Sequence, residues 1–579
     1  MAKRRHILRF FSDYRSSIVT LITPLLLLPF LLYFPDHKPQ GRCAFVVGLM
    51  GTYWVFETMP LAITALIPMV LYPIFGIMKS EDVAKAYLPD TSFLFIGGLM
   101  VAVAVEKSNL HTRIALFVLK IVGSQPAFIM AGFMAVTGFL SMWISNTATA
   151  ALMVPIVQSV IHELVSNHRL YEALALNENA AMSQKRLSVE MRRLSLPRES
   201  QTHPHPNREM EHIFSPAELK MAKGLLISVC FAANIGGSAT ITGTASNLVL
   251  IGQLEELFPN ADTGINFLSW ILFACPMMVL CLFYTWCVLC FIFLRRAPKG
   301  SAIVSSKLAE KYHRLPRISF AEVAVSITFL IMLLLWCLRE NFIEPYFMPG
   351  HLSDATSAIM MVIILFILPD RMPACFLGTQ RGHFIMRDSL LDWETIQARF
   401  PWSIVLLLGG GFALAAGVKE SKLSYEIGNF MMLMKDLPIT SIMLICIIIT
   451  IVLTNICSNT VIASIFVPIV AELARSLHYN PLWLMLPVTL SASFAFLLPV
   501  ATPPNAICFS AGIIKVKDMV ISGFFVSVGC MILNILTMLF WGSYVFKLNE
   551  YPLWAYNDMY PVNRTMIDQL LKNSSLPDA

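Results

Sequence analysis

Apolar runs of about 15 to 30 residues recur along the chain, among them Ile18 to Phe34, Ile265 to Leu294, Val323 to Leu338, Ile439 to Leu453 and Met519 to Phe546; about 20 such residues carry a helix across a bilayer. Shorter apolar runs between them are broken by Gly, Pro and hydroxyl residues. One long polar stretch, residues 162–219, is rich in Glu, Arg, Asn, Ser and Pro and reads as a cytoplasmic linker. The pattern predicts an all-α polytopic membrane protein. Lys3, Arg4, Arg5 and Arg9 precede the first run, as in a signal peptide. The run nevertheless ends at Phe34-Pro35-Asp36 without a small-residue cleavage pattern, so it is expected to be a retained first span.

Composition agrees: of 579 residues, 56% are apolar and 13% charged, far from a soluble domain. The twelve cysteines have no framework spacing and read as small buried hydrophobes. The twelve histidines form no HExxH and no Cys/His cluster, so no cofactor and no metal beyond a coupling ion is expected. The net charge of +6 is modest and lies in loops, which argues against a nucleic-acid partner.

Positive loops mark the cytoplasmic side. Residues 1–17 carry five bases, and Arg295 to Arg317 carries seven against Glu310 alone; both are expected inside. Leu254 to Asp262 has three acids and no base, and Arg339 to Asp354 has one base against three acids; both are expected outside. The tail holds two N-glycosylation sequons, at Asn563 and Asn573, whose glycosylation would require the C-terminus to face the lumen or exterior. A cytoplasmic N-terminus and an extracellular C-terminus demand an odd number of crossings, and we expect about eleven.

A repeat runs through the chain at a fixed offset. Gly97-Gly98 matches Gly410-Gly411, Ser108 matches Ser421, Ser145-Asn146-Thr147 matches Ser458-Asn459-Thr460, and Val154-Pro155-Ile156 matches Val467-Pro468-Ile469, with 458 − 145 = 313 in each case. Thr244-Ala245-Ser246-Asn247 pairs with Thr502-Pro503-Pro504-Asn505. Their spacings from Asn146 and Asn459 are 247 − 146 = 101 and 505 − 459 = 46, and the excess of 55 is about the length of the polar linker. Lys107 to Ser124 carries three bases and no acid, whereas Glu420 to Leu437 balances two bases with three acids. The first amphipathic stretch therefore belongs on the cytoplasmic surface and the second on the outer one, which makes the repeat inverted.

The expected organisation follows. Residues 1–90 form N-terminal scaffold helices, and 91–161 a span, a surface helix and a re-entrant hairpin. Residues 162–219 form the linker, 220–294 a broken helix and a span, and 295–400 further scaffold. Residues 401–515 repeat the span, surface helix, hairpin and broken helix, and 516–579 supply a last span and an extracellular tail. Glu57, before Met59-Pro60, is expected at a turn between spans, and Gly97-Gly98 and Gly409-Gly410-Gly411 are expected to serve helix packing.

Backbone that leaves helical geometry at membrane depth must be buried in protein or line a watery cavity. Trp143 to Thr149 reads as a hairpin tip, and Ile235 to Thr244 as a helix break; Pro499, Pro503 and Pro504 break the second copy. Half-helix N-termini favour an anion, and carbonyls and hydroxyls favour a cation. No Arg or Lys lies in these segments. A bound di- or trianion must then be balanced by helix ends and by co-bound cations or protons. An enzyme would need an acid, base or metal at depth, and the motifs offer only hydroxyls and amides; duplicated hairpins disfavour a channel.

At these residues the chain resembles the divalent anion:sodium symporter family of animal dicarboxylate, citrate and sulfate carriers. The motifs are Ser141 to Thr149, Leu406 to Leu414, Leu490 to Phe496 and Leu498 to Ala506, and the nearest branch is the di- and tricarboxylate one that includes insect INDY-type citrate transporters. The resemblance implies a plasma-membrane homodimer working as an elevator. It also implies carboxylate contacts at Ser145, Asn146, Thr147, Ser458, Asn459, Thr460, Thr502 and Pro503. Cation positions would fall on Ser141, Ser145, Asn146 and Ala245, and on Thr454, Cys457, Asn459 and Ala501. The chain departs from sodium-coupled animal relatives at Ala245-Ser246, Asn455 and Thr460. Those departures set the expectation at sodium-independent exchange of citrate, succinate and related acids. Sodium-coupled carboxylate symport is the alternative, and sodium-coupled sulfate transport a more distant one.

Overall fold

The computed structural model describes residues 15–32, 38–122, 125–161, 215–259, 261–295, 310, 312–343, 346–347, 351–371, 388–423, 426 and 436–556. The basic N-terminal segment, nearly all of the polar linker, most of the basic loop after Arg295, most of the second amphipathic stretch and both sequons lie outside the described residues.

Among the described residues the chain is helical, with no strand beyond a single bridge between Pro369 and Ser389. Seven helices among the described residues are long and apolar enough to cross a membrane: Ser80–Lys107, Pro216–Gly237, Phe267–Leu294, Phe320–Leu338, Trp402–Glu420, Asn459–Ser476 and Val516–Val545. They differ in surroundings. Pro216–Gly237 is 89% buried within the chain, whereas Phe267–Leu294 and Phe320–Leu338 are 33% buried. The latter two turn Leu272, Val279, Phe283, Ile327, Leu330 and Leu334 outward, as a lipid-facing helix must.

Several helices begin on side chains that satisfy their free N–H groups. Ser215 with Glu218, Asn266 with Ser269, Ser319 with Glu322 and Ser353 with Thr356 form reciprocal caps. The Glu322 carboxylate also takes a forked contact from Arg113 at 3.1 Å, which ties the amphipathic helix Leu110–Val122 to the start of Phe320–Leu338. Glu57 occupies a turn after Lys38–Phe56, with φ of 48°.

The repeat is visible in the backbone. Asn109 and Lys422, 422 − 109 = 313 apart, both take left-handed conformations, with φ of 60° and 58°, at the ends of Asp90–Lys107 and Trp402–Glu420. Each copy continues into a hairpin. The first comprises Pro126–Ser141 and Asn146–Ile161, and the second Ile439–Thr454 and Asn459–Ser476. Each then has a broken helix. The first comprises Pro216–Gly237 and Ala245–Leu257, joined through a short turn at Ile241–Gly243; the second comprises Leu482–Ala492 and Pro503–Ser510. The second break opens at Ser493, earlier than Pro499, because the carbonyl of Ala495 and the N–H of Leu497 are claimed by side chains.

The two broken helices lie side by side. Pro216–Gly237 packs on Pro503–Ser510, and Ala245–Leu257 packs on Leu482–Ala492. First half against second half, on both sides, means that the two run antiparallel. Phe231 meets Phe496 across the seam at 4.9 Å between ring centroids. The glycine pairs serve packing: a Cβ at Gly97 would lie 2.6 Å from that of Ala358, and one at Gly410 would lie 2.6 Å from that of Ala65.

Candidate functional site

Each hairpin tip is joined to its own broken helix by the same pair of contacts. In the first copy the Ser141 hydroxyl lies 2.6 Å from Asn146 Oδ1 and 2.8 Å from the Ala233 carbonyl. In the second the Thr454 hydroxyl lies 2.8 Å from Asn459 Oδ1 and 2.6 Å from the Ala492 carbonyl. A hydroxyl has one proton, so it satisfies one of the two acceptors at a time. The other oxygen–oxygen approach is one that a small cation relieves. These neutral oxygens are the hard donors that sodium takes, and the residues present fit such an ion.

The breaks are closed by asparagine. Asn247 Nδ2 donates to the carbonyls of Thr240 at 2.8 Å and Ser238 at 3.2 Å, with Gly237 at 3.5 Å. Asn505 Nδ2 donates to the carbonyls of Ala495 at 2.8 Å and Leu498 at 3.1 Å. Both reach back seven and ten residues, so these carbonyls of the interrupted backbone find their donors inside the protein. The hairpins brace the same stretches: Thr240 donates its hydroxyl to the Met142 carbonyl, and Asn455 Oδ1 accepts the Leu497 N–H at 2.7 Å.

Gly237 and Gly236 permit these approaches. A Cβ at Gly237 would overlap Asn146 Oδ1 and lie 3.0 Å from its Nδ2 and from the Gly243 carbonyl; one at Gly236 would lie 2.8 Å from the Gly138 carbonyl carbon. Close passage of backbone is what glycine supplies.

The remaining expected residues fall around these clusters. Ser145 accepts the Ala148 N–H at 3.2 Å as the cap of the second hairpin arm; Ser458 holds the same place without a cap bond. Thr147 and Pro503 are exposed, while Cys457, Thr460, Ala501 and Thr502 are buried. Thr244 and Thr502 occupy the N-cap positions of the half-helices that start at Ala245 and Pro503, without a side-chain cap bond, so two N-termini end at the breaks. Sequence reasoning missed Asn234, Thr240 and the bracing role of Asn455. Asn234 had no repeat signal to mark it, since the hydroxyl contacts that match Ala233 with Ala492 put Ser493 in its place in the second copy.

A cavity of about 290 Å³ borders the first hairpin, lined by Ile144, Ala148 and Thr149 together with His111, Glu106 and Arg399. Glu106 and Arg399 pair at 2.9 Å.

Residues 13–548 match the sodium:sulfate symporter transmembrane region. The chain belongs to the sodium:sulfate symporter family. Relatives in that family align over nearly their full length. The chain is 59% identical over 571 residues to sodium-dependent low-affinity dicarboxylate transporter 1 of Caenorhabditis elegans, covering 97% of each. It is 39% identical to the human Na(+)/dicarboxylate cotransporter 3, covering 97% of each, and 38% identical to the rat Na(+)/citrate cotransporter, covering 94% of this chain and 97% of that one. A solved structure of Neisseria gonorrhoeae MtrF aligns at 12% identity over 82% of this chain and 84% of that one, with a TM-score of 0.48, too distant to carry an argument. Symporter family membership and the apolar helices make this a membrane protein.

Proposed function

We propose that the chain is a sodium-coupled secondary transporter of di- and tricarboxylates such as succinate and citrate. The observation that carries this reading is the duplicated cluster of hydroxyl, amide and carbonyl oxygens around Ser141 and Thr454, beside two half-helix N-termini and without Arg or Lys. A multivalent anion placed there has no side-chain cation to balance it. Helix ends supply a fraction of a charge each, so co-transported cations must supply the rest.

The sodium-independent exchange expected from Ala245, Asn455 and Thr460 finds no support among the relatives, whose names are those of sodium-dependent carriers, and sodium coupling takes its place. Asn455 is engaged on both sides of its amide, donating to Ile451 and accepting from Leu497, so it has a structural task that an ionised carboxylate could not share. On this reading Ser145, Asn146, Thr147, Ser458, Asn459, Thr460, Thr502 and Pro503 face the carboxylates. Sodium is held by Ser141, Ser145, Asn146 and Ala245 in one copy, and by Thr454, Cys457, Asn459 and Ala501 in the other.

The order of elements supports about eleven crossings, in which each broken helix counts once and the hairpins enter from opposite faces. The two copies would then carry the anion between them past the remaining helices, as an elevator does.

Uptake of labelled citrate and succinate into proteoliposomes, with sodium replaced by choline and with sulfate as competitor, tests the proposal. Saturable uptake that needs sodium and is lost in Asn146→Ala and in Asn459→Ala is the expected result. Undiminished transport in both variants, or uptake indifferent to sodium, would refute it.

A further inference from the structure

Asn234 lies three residues before the end of the first half-helix, with no solvent exposure. Its neighbours fix its orientation. Asn505 directs its Nδ2 to the Ala495 and Leu498 carbonyls, so its Oδ1 must accept from elsewhere. Asn234 Nδ2 is 3.3 Å from that Oδ1 and therefore presents its amide protons there; the second proton goes to Thr502 Oγ1 at 3.2 Å. Asn234 Oδ1 is left buried without a donor among the described residues. That loss is tolerated because both protons are engaged across the seam between the two copies.

The consequence falls on Thr502. A hydroxyl that accepts a hydrogen bond on one side keeps its own proton for another partner. Among the described residues no acceptor takes that proton. We propose that Asn234 is a positioning residue: it fixes the Thr502 hydroxyl as a donor toward an incoming carboxylate, so one copy of the repeat sets the anion affinity of the other. Ser493 stands at the corresponding place in the second copy, following Ala492 as Asn234 follows Ala233, and its hydroxyl has no partner among the described residues. The device is therefore present on one side of the pseudo-symmetric pair only, and it polarises the substrate toward Thr502.

This inference rests on the reading of Thr502 as a carboxylate contact, and the test separates the two. Succinate KM and Vmax are measured in proteoliposomes for Asn234→Asp, Thr502→Val and the double variant, per inserted protein. Asn234→Asp keeps the shape and removes both donors, so the Thr502 proton turns inward. The expected result is a KM raised about tenfold or more by each single change, Vmax within about twofold, and a double variant no worse than the more affected single one. A raised KM in Thr502→Val with an unchanged one in Asn234→Asp overturns the inference alone, as do effects that multiply in the double variant. An unchanged KM in Thr502→Val overturns the carboxylate contact and the inference with it. If Asn234→Asp fails to insert, Asn234→Ala, which removes the donors without adding an acceptor, is read in the same cycle.

Discussion

Gly237→Ala probes the site with one methyl group. The added carbon would overlap Asn146 Oδ1 while lying 3.0 Å from Asn146 Nδ2 on one side and 3.0 Å from the Gly243 carbonyl on the other. Gly243 is itself held, since its N–H donates to the Thr240 carbonyl at 3.3 Å and Thr240 donates to Met142. Asn146 is the freer partner, and relieving the clash moves its amide by about an ångström, a displacement of the size that costs about a hundredfold in a positioned site. Overpacking of this kind destabilises by about 1–3 kcal/mol, which a helical protein with a core this extensive survives. The expectation is folded, inserted protein whose sodium-driven succinate uptake falls about a hundredfold. Gly51→Ala is the control, because its Cβ would make an ordinary 3.7 Å contact with Ile465. Uptake in Gly237→Ala above half that of the control would show that Asn146 does not set the transport site.

Other expectations follow from single contacts. Ser141→Ala and Thr454→Val each remove one oxygen of a cluster, and the sodium concentration giving half-maximal uptake should rise about tenfold in a sodium titration; an unchanged value would remove these hydroxyls from the cation site. Asn247→Leu leaves the Thr240 carbonyl with only the longer bond from the Gly243 N–H and the Ser238 carbonyl with only Trp270 Nε1, and should cost about 1–3 kcal/mol, read as a lower melting temperature in detergent, whereas an unchanged melt would refute the brace. Asp392, whose hydrogen bond from Lys107 and then the Thr395 N–H pull its carboxyl down to about 2, lies in a loop ahead of Trp393–Arg399. A depressed value stabilises above the ordinary carboxylate range and is lost as pH falls toward about 2. Asn at this place keeps the helix cap, so Asp392→Asn should lower stability by at most about 1 kcal/mol, the pair being partly exposed. That difference should stay constant from about pH 5 to 8 and vanish on acidification, and a difference that grew in acid would contradict the assignment.

Much of the fold was legible because duplication leaves two readings of one design. The offset of 313 located both hairpin tips, and Gly- and Thr-rich or Pro-rich stretches located both breaks. What a single residue does across the seam was not legible. Asn234 reads as one more polar residue in a helix, since its meaning comes from Thr502 and Asn505, more than 260 positions away. In sequence the second break starts at Pro499, whereas the helix ends at Ala492 and Asn505 and Asn455 bind the backbone that follows it, at Ala495 and Leu497. In sequence Asn455 is only a departure from sodium-coupled relatives, whereas in the fold its amide makes two backbone bonds. The expectation of sodium-independent exchange has the same origin: it weighs isolated departures in the sequence, whereas the hydroxyl contacts of Ser141 and Thr454 are repeated in both copies.

Asn247 and Asn505 each mend the interruption that lies a few residues upstream in their own segment. A gene that doubled would therefore have inherited damage and repair together, twice over, with no need for either copy to find its remedy in the other. Inheritance of that kind lets an ancestral half stand as a sound piece of architecture before any partnership existed, and leaves later change free to act on the junction alone.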